Sequence, residues 1–479
     1  MIINNFIIEG LHNSRDYELK FKDNKIILVS DNGAGKTTIV NIFYYFLSKQ
    51  WNKLLEYNFR KIKCRINDES IEFTKDFFQN LLQRDNKIRH RFSSNTLIKL
   101  NQISELISSF DFFNMSVKEI EMLSEKFDIP SRVIKEYIFE VYEKKENIDN
   151  HRNIKLIEAK LNSLLKDVKI IYLPTYRRIE KDLINILPHL ERSIKEYDIQ
   201  NRRHNLKEEN YLELVEFGMN DIHRKLEKRC FELKNYFYDK LNTNLIGSYL
   251  DDILNKSYNN FEFDKISQID EEALNYILKR LDDSVISKNG KDRLREFVQS
   301  LQFNSANNNI EDKINAHFVW KLFQIYHFQQ KEESDVLNLV NICNEYLGNE
   351  KELIYNKDEF KVEIVLTQNT KYINTLRQLF FDENMLKSEE KPNRIEFKDL
   401  SSGEKQIISL FTHLVLSTKN YFLIIDEPEL SLSVPWQERF LNDILKLDKC
   451  QGLLAVTHSP FIFQNNLREY THSLEEFKR

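Results

Sequence analysis

The segment Ser30-Asp31-Asn32-Gly33-Ala34-Gly35-Lys36-Thr37-Thr38 holds the densest chemistry in the chain. Two glycines, a lysine and hydroxyls at this spacing suit a loop whose backbone N–H groups point inward at phosphate oxygens. A helix starting just after the loop would add its positive N-terminal end. Lys36 would reach the β- and γ-phosphates of a nucleotide, and Thr37 would ligate Mg²⁺. The GxxxxGK[ST] pattern is one residue imperfect, because Ser30 stands where its first glycine belongs.

Three further constellations lie near the other end. The apolar run 421–425 ends in Asp426 and Glu427. A buried strand ending in two acids sets both carboxylates where ligands bind in open α/β sheets. Asp426 fits a Mg²⁺ partner, and Glu427 fits the base that activates or orients an attacking water. Leu400-Ser401-Ser402-Gly403-Glu404 has the S-x-x-E spacing of a capping box, and a helix start of this kind can also receive an anion. Thr457-His458-Ser459-Pro460 follows the apolar run LLAV, which sets His458 at the end of another strand.

These residues need a strand–loop–helix frame. The runs 2–8, 17–21 and 26–29 read as strands, the last leading into the glycine loop and then the amphipathic segment IVNIFYYFL. Residues 59–66 and 70–74 read as a hairpin with Asn67-Asp68-Glu69 as its turn. Residues 168–173 read as a buried strand. From 207 to 242 apolar residues recur every three or four positions, including Leu212, Val215, Met219, Ile222, Leu226, Cys230, Leu233, Phe237 and Leu241, which predicts one long packed helix. Strands return at 359–366 and 394–398. The reading is therefore α/β at both ends: an N-terminal lobe over 1–75, a mostly helical insert over 76–355 with a strand of the α/β part near 168–174, and a C-terminal lobe over 356–479.

Composition bounds the partners. Lys+Arg total 70 and Asp+Glu 75, a net charge of −5, so no global basic field draws in nucleic acid. The run Arg84, Lys87, Arg89, His90, Arg91 is a local basic patch that reads as a solvated helix face. The four cysteines are far apart, which argues against a disulfide framework or a zinc site and for a reducing cytosol. The start lacks a signal-peptide pattern, and no run approaches about 18 apolar residues, so neither secretion nor a membrane is expected. The chain holds only 9 glycines, and three of them (Gly33, Gly35, Gly403) lie in the two proposed phosphate-facing loops.

The order of phosphate loop (Walker A), LSSGE signature, DE-ended strand (Walker B) and a histidine after the next strand resembles the ABC-type ATPases of the SMC/Rad50/RecF/OLD group. The resemblance covers roughly 1–75 and 355–465. It implies an α/β ABC-type ATPase head, a mixed sheet with an antiparallel β subdomain, carrying a large mainly α-helical insert. It implies ATP and Mg as cofactors, and two heads paired head to tail in a homodimer or a higher even-numbered oligomer. By that match Asn32, Gly33, Ala34, Gly35, Lys36, Thr37 and Thr38 bind ATP, with Thr37 and Asp426 on Mg and Glu427 and His458 catalytic. Ser401, Ser402, Gly403 and Glu404 would meet the nucleotide of the other subunit.

YLPTYRRIE (172–180), LSSGEKQIISLF (400–411), DEPELSLSVPWQ (426–437) and THSPFIF (457–463) resemble the defence ATPases of bacterial PARIS, Septu and retron-linked Septu systems. One departure is Ser433, where the family at large often has an Asp in the D-loop. Tyr176, Arg177 and Arg178 read either as a surface pair or as a link between nucleotide and insert. The resemblance implies a cytoplasmic ATPase that senses infection through a phage trigger protein or nucleic acid. Few residues follow His458 and the middle shows no nuclease motif, so toxicity is expected from a separate Toprim-like or HNH nuclease. The alternative is a DNA-repair or recombination ATPase of the RecF/Rad50 kind. A transporter subunit is discounted because the signature lies too far from the phosphate loop, and a stand-alone anticodon nuclease because no catalytic cluster is visible.

Overall fold

A computed structural model describes residues 1–30, 35–75, 96, 99–100, 103, 117–142, 145–174, 211–213, 219–263, 271–281, 283, 286–303, 309–348, 350–367 and 394–479. The chain divides into two units, one built from Met1–Glu216 and Lys419–Arg479 and the other from Phe217–Thr418.

The first unit begins with β1 (Ile3–Leu11), β2 (Arg15–Lys20) and β3 (Lys25–Val29). Helices α1 (Lys36–Leu47) and α2 (Trp51–Leu55) follow, then the hairpin β4 (Lys61–Ile66) and β5 (Glu69–Thr74). The predicted hairpin turn is realised by Asn67 and Asp68, both at positive φ, which matches the twist of a two-residue hairpin. Helices α3 (Val117–Phe127), α4 (Ser131–Tyr142) and α5 (Lys145–Leu164) lead to β6 (Val168–Leu173) and the short β7 (Tyr211–Glu213).

The second unit opens with α6 (Met219–Leu241), which runs into a π-helical stretch, Asn242–Tyr249, and then α7 (Leu250–Leu254). Next come α8 (Glu271–Arg280), α9 (Lys288–Phe303) and the 38-residue α10 (Ile310–Leu347), about 57 Å long at 1.5 Å per residue. Asn309 caps α10, its side chain accepting from the N–H of Asp312, and Gly348 ends it at φ 74°. β8 (Lys351–Asn356), β9 (Lys361–Leu366) and β10 (Arg394–Ile395) form an antiparallel sheet in the order β10-β9-β8, and α11 (Ser402–Val415) closes the unit. The chain then returns to the first unit as β11 (Asn420–Asp426), α12 (Val434–Leu445), β12 (Cys450–Thr457) and β13 (Thr471–Ser473).

The predicted single helix over 207–242 is corrected. Tyr211–Glu213 pairs parallel with β6 as a strand, and the helix starts at Met219. A periodicity of three and four continues across the break, so pattern alone could not place the boundary. The predicted apolar face is real within the helix: Ile222, Leu226, Cys230, Leu233, Phe237 and Leu241 are all buried. Arg84, Lys87, Arg89, His90 and Arg91, Val215, and Tyr176, Arg177 and Arg178 lie outside the described residues.

The first unit has two sheets. The order β13-β3-β12-β11-β6-β7 makes a six-stranded sheet in which every neighbouring pair is parallel, and β2-β1-β4-β5 is antiparallel. The parallel strands IILV, YFLII and LLAV are continuous apolar runs, as expected for strands covered on both faces. By contrast β1 buries Ile3, Phe6, Ile8 and Leu11 and leaves the residues between them more open. α1 lies in the core between the sheets. Its Phe43 packs edge-on against Phe6 of the antiparallel sheet at 4.9 Å and lies tilted against Phe422 of the parallel sheet at 5.9 Å. Tyr172 on β6 donates its hydroxyl to Asn41 at 2.5 Å, and Asn41 donates to Tyr57 at 3.0 Å, so the helix is fixed in rotation as well as depth.

The second unit is organised around a buried ion pair. Arg280 and Glu333 are 2.8 Å apart with almost no exposure. Glu333 also accepts from Tyr276 (2.5 Å), Tyr355 (2.9 Å) and Gln329 (2.8 Å), while the guanidinium lies 4.1 Å over Tyr276 and 4.2 Å over Phe360. Multiple hydrogen bonds and aromatic faces are what make such a buried pair tolerable. They tie α8, α10 and β8 together. Among the described residues no helix is long and apolar enough to cross a membrane.

Candidate functional site

Three strand ends meet at the carboxyl edge of the parallel sheet. β3, β12 and β11 are neighbours, and they lead into Ser30, His458 and Glu427 respectively. The register pairs Val29 with Thr457 and Asp426 with Val456, so the last residues of the three strands lie at one level. The backbone N–H of Glu427 donates to the carbonyl of Val456 at 2.8 Å, which extends that alignment one residue further. The carboxyl edge of an open α/β sheet is where such folds bind ligands.

The described residues of the phosphate loop, Ser30 and Gly35 to Thr38, lie at the end of β3 and the start of α1. Gly35 caps the helix at φ 91°, a left-handed conformation that an L side chain adopts only under strain. Its carbonyl takes the N–H of Ile39 at 3.0 Å, the first turn of the helix. Lys36 is buried, and its ammonium donates to the carbonyl oxygen of Ser30 at 2.6 Å and to the Ser30 hydroxyl at 3.1 Å. Thr37 and Thr38 are half-buried on the first turn. Asn32, Gly33 and Ala34 lie outside the described residues.

On β11, Asp426 is wholly buried and Glu427 is half-buried. Glu427 takes φ 53°, so the chain turns sharply at the residue proposed as base. Non-glycine residues in this region cost of order 1 kcal/mol and collect at functional sites. The apolar strand carries the carboxylates to the sheet edge, and the turn keeps the second of them out of the core.

Residues missed by the sequence reading tie this turn to the histidine turn. Glu429 accepts from the Thr457 hydroxyl at 2.7 Å and from the backbone N–H of His458 at 2.8 Å. Thr457 accepts in turn from the N–H of Ser459 at 3.0 Å. The Ser459 hydroxyl reaches the Gln437 amide oxygen at 2.6 Å, and Gln437 donates to the carbonyl of Leu432 at 2.9 Å. Glu429 follows Asp426 and Glu427 in the same acidic turn, but nothing in its spacing says which strand it grips. The His458 residue itself is exposed.

The signature residues fold in the second unit. Ser401 is the N-cap of α11: its hydroxyl accepts from the N–H of Glu404 at 3.4 Å, and Glu404 accepts from the N–H of Ser401 at 2.7 Å. This is the predicted capping box, complete in both directions. Ser401 and Ser402 are exposed, while Gly403 and Glu404 are buried. Lys351 of β8 donates to both Glu404 oxygens, at 2.9 and 3.1 Å. Burial alone pushes the Glu404 carboxyl up, but Lys351 and Ser401 outweigh it and hold the group below the ordinary carboxylate range. Sequence reading missed Lys351, because its partner lies 53 positions away.

The donor set at the sheet edge fits a nucleotide with a divalent cation. It offers a helix N-terminus, a lysine, a threonine hydroxyl and a buried aspartate, the groups that suit phosphate oxygens and a hard metal ion. A family model described as "AAA domain, putative AbiEii toxin, Type IV TA system" matches residues 27–463. The chain belongs to this family. The match spans the phosphate loop, both acidic residues and His458, and it makes the protein an ATPase of AAA type. No curated protein matches the chain. Among solved structures, the Smc head domain with an extended coiled coil bound to the C-terminal domain of ScpA, from Pyrococcus furiosus, is similar at 12% identity and a TM-score of 0.31. That alignment covers 97% of this chain and 91% of that one. The Smc head domain with a coiled coil and joint from Pyrococcus yayanosii is similar at 14% identity and a TM-score of 0.27, covering 97% and 93%.

Proposed function

We propose that this AAA-domain ATPase binds and hydrolyses ATP at the β3–β12–β11 edge and uses the cycle to control a separate effector nuclease in bacterial anti-phage defence. The observation that carries the ATP site is the convergence of Lys36, Asp426, Glu427 and His458 at one edge of one parallel sheet. Lys36 neutralises phosphate charge, and the loop and α1 supply N–H donors. Thr37 and Asp426 would hold Mg²⁺, which supplies charge neutralisation on the phosphates. Glu427 orients and deprotonates the attacking water, and His458 meets the γ-phosphate. The motif assigns the remaining nucleotide contacts to Asn32, Gly33, Ala34, Gly35 and Thr38.

Ser401, Ser402 and Gly403 act on the nucleotide of a second copy of the chain, with Glu404 holding their cap in place. Support for this comes from the exposure of Ser401 and Ser402 on a rigid cap, an anion site held ready by the Lys351–Glu404 pair. The defence role is supported by the family description, which names a toxin of a toxin–antitoxin system. It is supported also by the motif-level resemblance of 400–411, 426–437 and 457–463 to PARIS- and Septu-type ATPases. The effector is a Toprim-like or HNH nuclease, and the trigger a phage protein or nucleic acid.

The deciding experiment pairs biochemistry with infection. Glu427→Gln keeps ATP affinity and lowers turnover by about 10²- to 10⁴-fold, the range of a lost general base. Retained hydrolysis would remove Glu427 from its role. Expressed with its neighbouring genes, the intact protein lowers phage plaque counts and the Glu427→Gln protein does not; equal plaque counts with and without the genes would overturn the defence role.

A further inference from the structure

We infer that Glu429 is a positioning residue that sets His458 relative to Glu427 and passes the state of the histidine turn to the segment 432–437. This rests on the ATP site proposed above. One carboxylate grips two successive residues of the neighbouring strand end, the Thr457 side chain at 2.7 Å and the His458 N–H at 2.8 Å. Both are hydrogen bonds to a charged acceptor, the stronger class. Glu427 and Glu429 lie on one short turn, so the carboxylate that holds the histidine backbone and the carboxylate proposed as base are separated by Pro428 alone.

The same turn is anchored on its far side. Ser459 donates to Gln437, and Gln437 donates to Leu432, so movement of the histidine turn is carried to the start of α12. Ser433 is the N-cap of that helix and makes no side-chain cap hydrogen bond. The segment 432–437 is therefore joined to the histidine turn through Gln437 and Ser459, and Glu429 holds the same turn from its other side through Thr457, which accepts from the Ser459 N–H.

A carboxylate and a carboxamide differ usefully at this position. In Glu429→Gln the amide oxygen can still accept from the His458 N–H and the amide NH₂ can donate to the Thr457 oxygen, so the turn stays in place. Glu429→Ala removes both contacts. The experiment measures ATP affinity, steady-state turnover and amide hydrogen exchange over 454–463 in the full chain. Glu429→Ala lowers kcat by about 10- to 100-fold with ATP affinity within about threefold, and Glu429→Gln recovers most of it. In a His458→Ala background, Glu429→Ala adds no further loss, because it acts through the histidine. Additive losses in the double variant overturn the inference. So does equal exchange at 454–463 in the Glu429→Ala and intact proteins, a readout that needs no ATP turnover. If Glu429→Ala changes exchange at 454–463 but the intact protein hydrolyses no ATP, the ATP-site reading fails while the link between the two turns stands.

Discussion

Lys36 donates to both the carbonyl and the hydroxyl of Ser30, so the residue in place of the expected glycine gives the lysine two acceptors. A serine there keeps a compact loop base and adds a second acceptor. Lys36→Ala should weaken ATP binding by about 10- to 100-fold, the scale of a lost charge-assisted hydrogen bond. Ser30→Gly should leave affinity within about threefold, because the carbonyl acceptor remains. Titration with a fluorescent ATP analogue measures both.

Ser402 is exposed on the cap of α11, so Ser402→Arg should fold normally. Its ATP affinity should be unchanged and its turnover lost. Mixing it with Glu427→Gln protein should restore part of the turnover, because one composite site then pairs an intact base with an intact signature. No recovery on mixing would count against a site shared between subunits.

Gly452 is a packing requirement. A Cβ there would meet the Asn24 amide nitrogen at 2.5 Å and the Phe422 ring at 2.6 Å. Asn24 cannot yield, because its side chain accepts from Ile3 and donates to Met1 and Gln451. Gly452→Ala should cost about 1–3 kcal/mol, as overpacking does. Chemical denaturation followed by circular dichroism would show it as a lowered midpoint.

The Glu404 carboxyl titrates lower in the folded chain than in the unfolded one. Its contribution is therefore fully present above the ordinary carboxylate range and is lost as pH falls through the depressed folded value. Lys351→Met should remove about 1–3 kcal/mol at neutral pH and flatten the acid limb of the stability profile. Urea midpoints at a series of pH values between 3 and 7 would test this; parallel profiles for the two proteins would contradict it.

Much of this chain was legible without coordinates. The apolar runs IILV, YFLII and LLAV announce buried parallel strands by composition alone, and S-x-x-E announces a capped helix, because both depend on local chemistry. The heptad-like face from Ile222 to Leu241 likewise predicted its own burial. Local pattern could not see that the same periodicity runs through a strand at Tyr211–Glu213 before the helix begins. Nor could it tell that α11 with its signature joins the 217–418 unit while β11 and β12 join the other.

The sequence by itself determined which residue types are candidates to face a phosphate and which strand ends carry them, since a motif needs only neighbours in the chain. Only the tertiary structure decided which strands lie side by side. Strand order depends on contacts between residues hundreds of positions apart, and it is that order which sets Ser30, His458 and Glu427 on adjacent ends of one sheet. The grip of Glu429 on Thr457 and His458, and of Lys351 on Glu404, belongs to the same class. Each is a directed hydrogen bond across 28, 29 or 53 positions, and no spacing rule reaches that far.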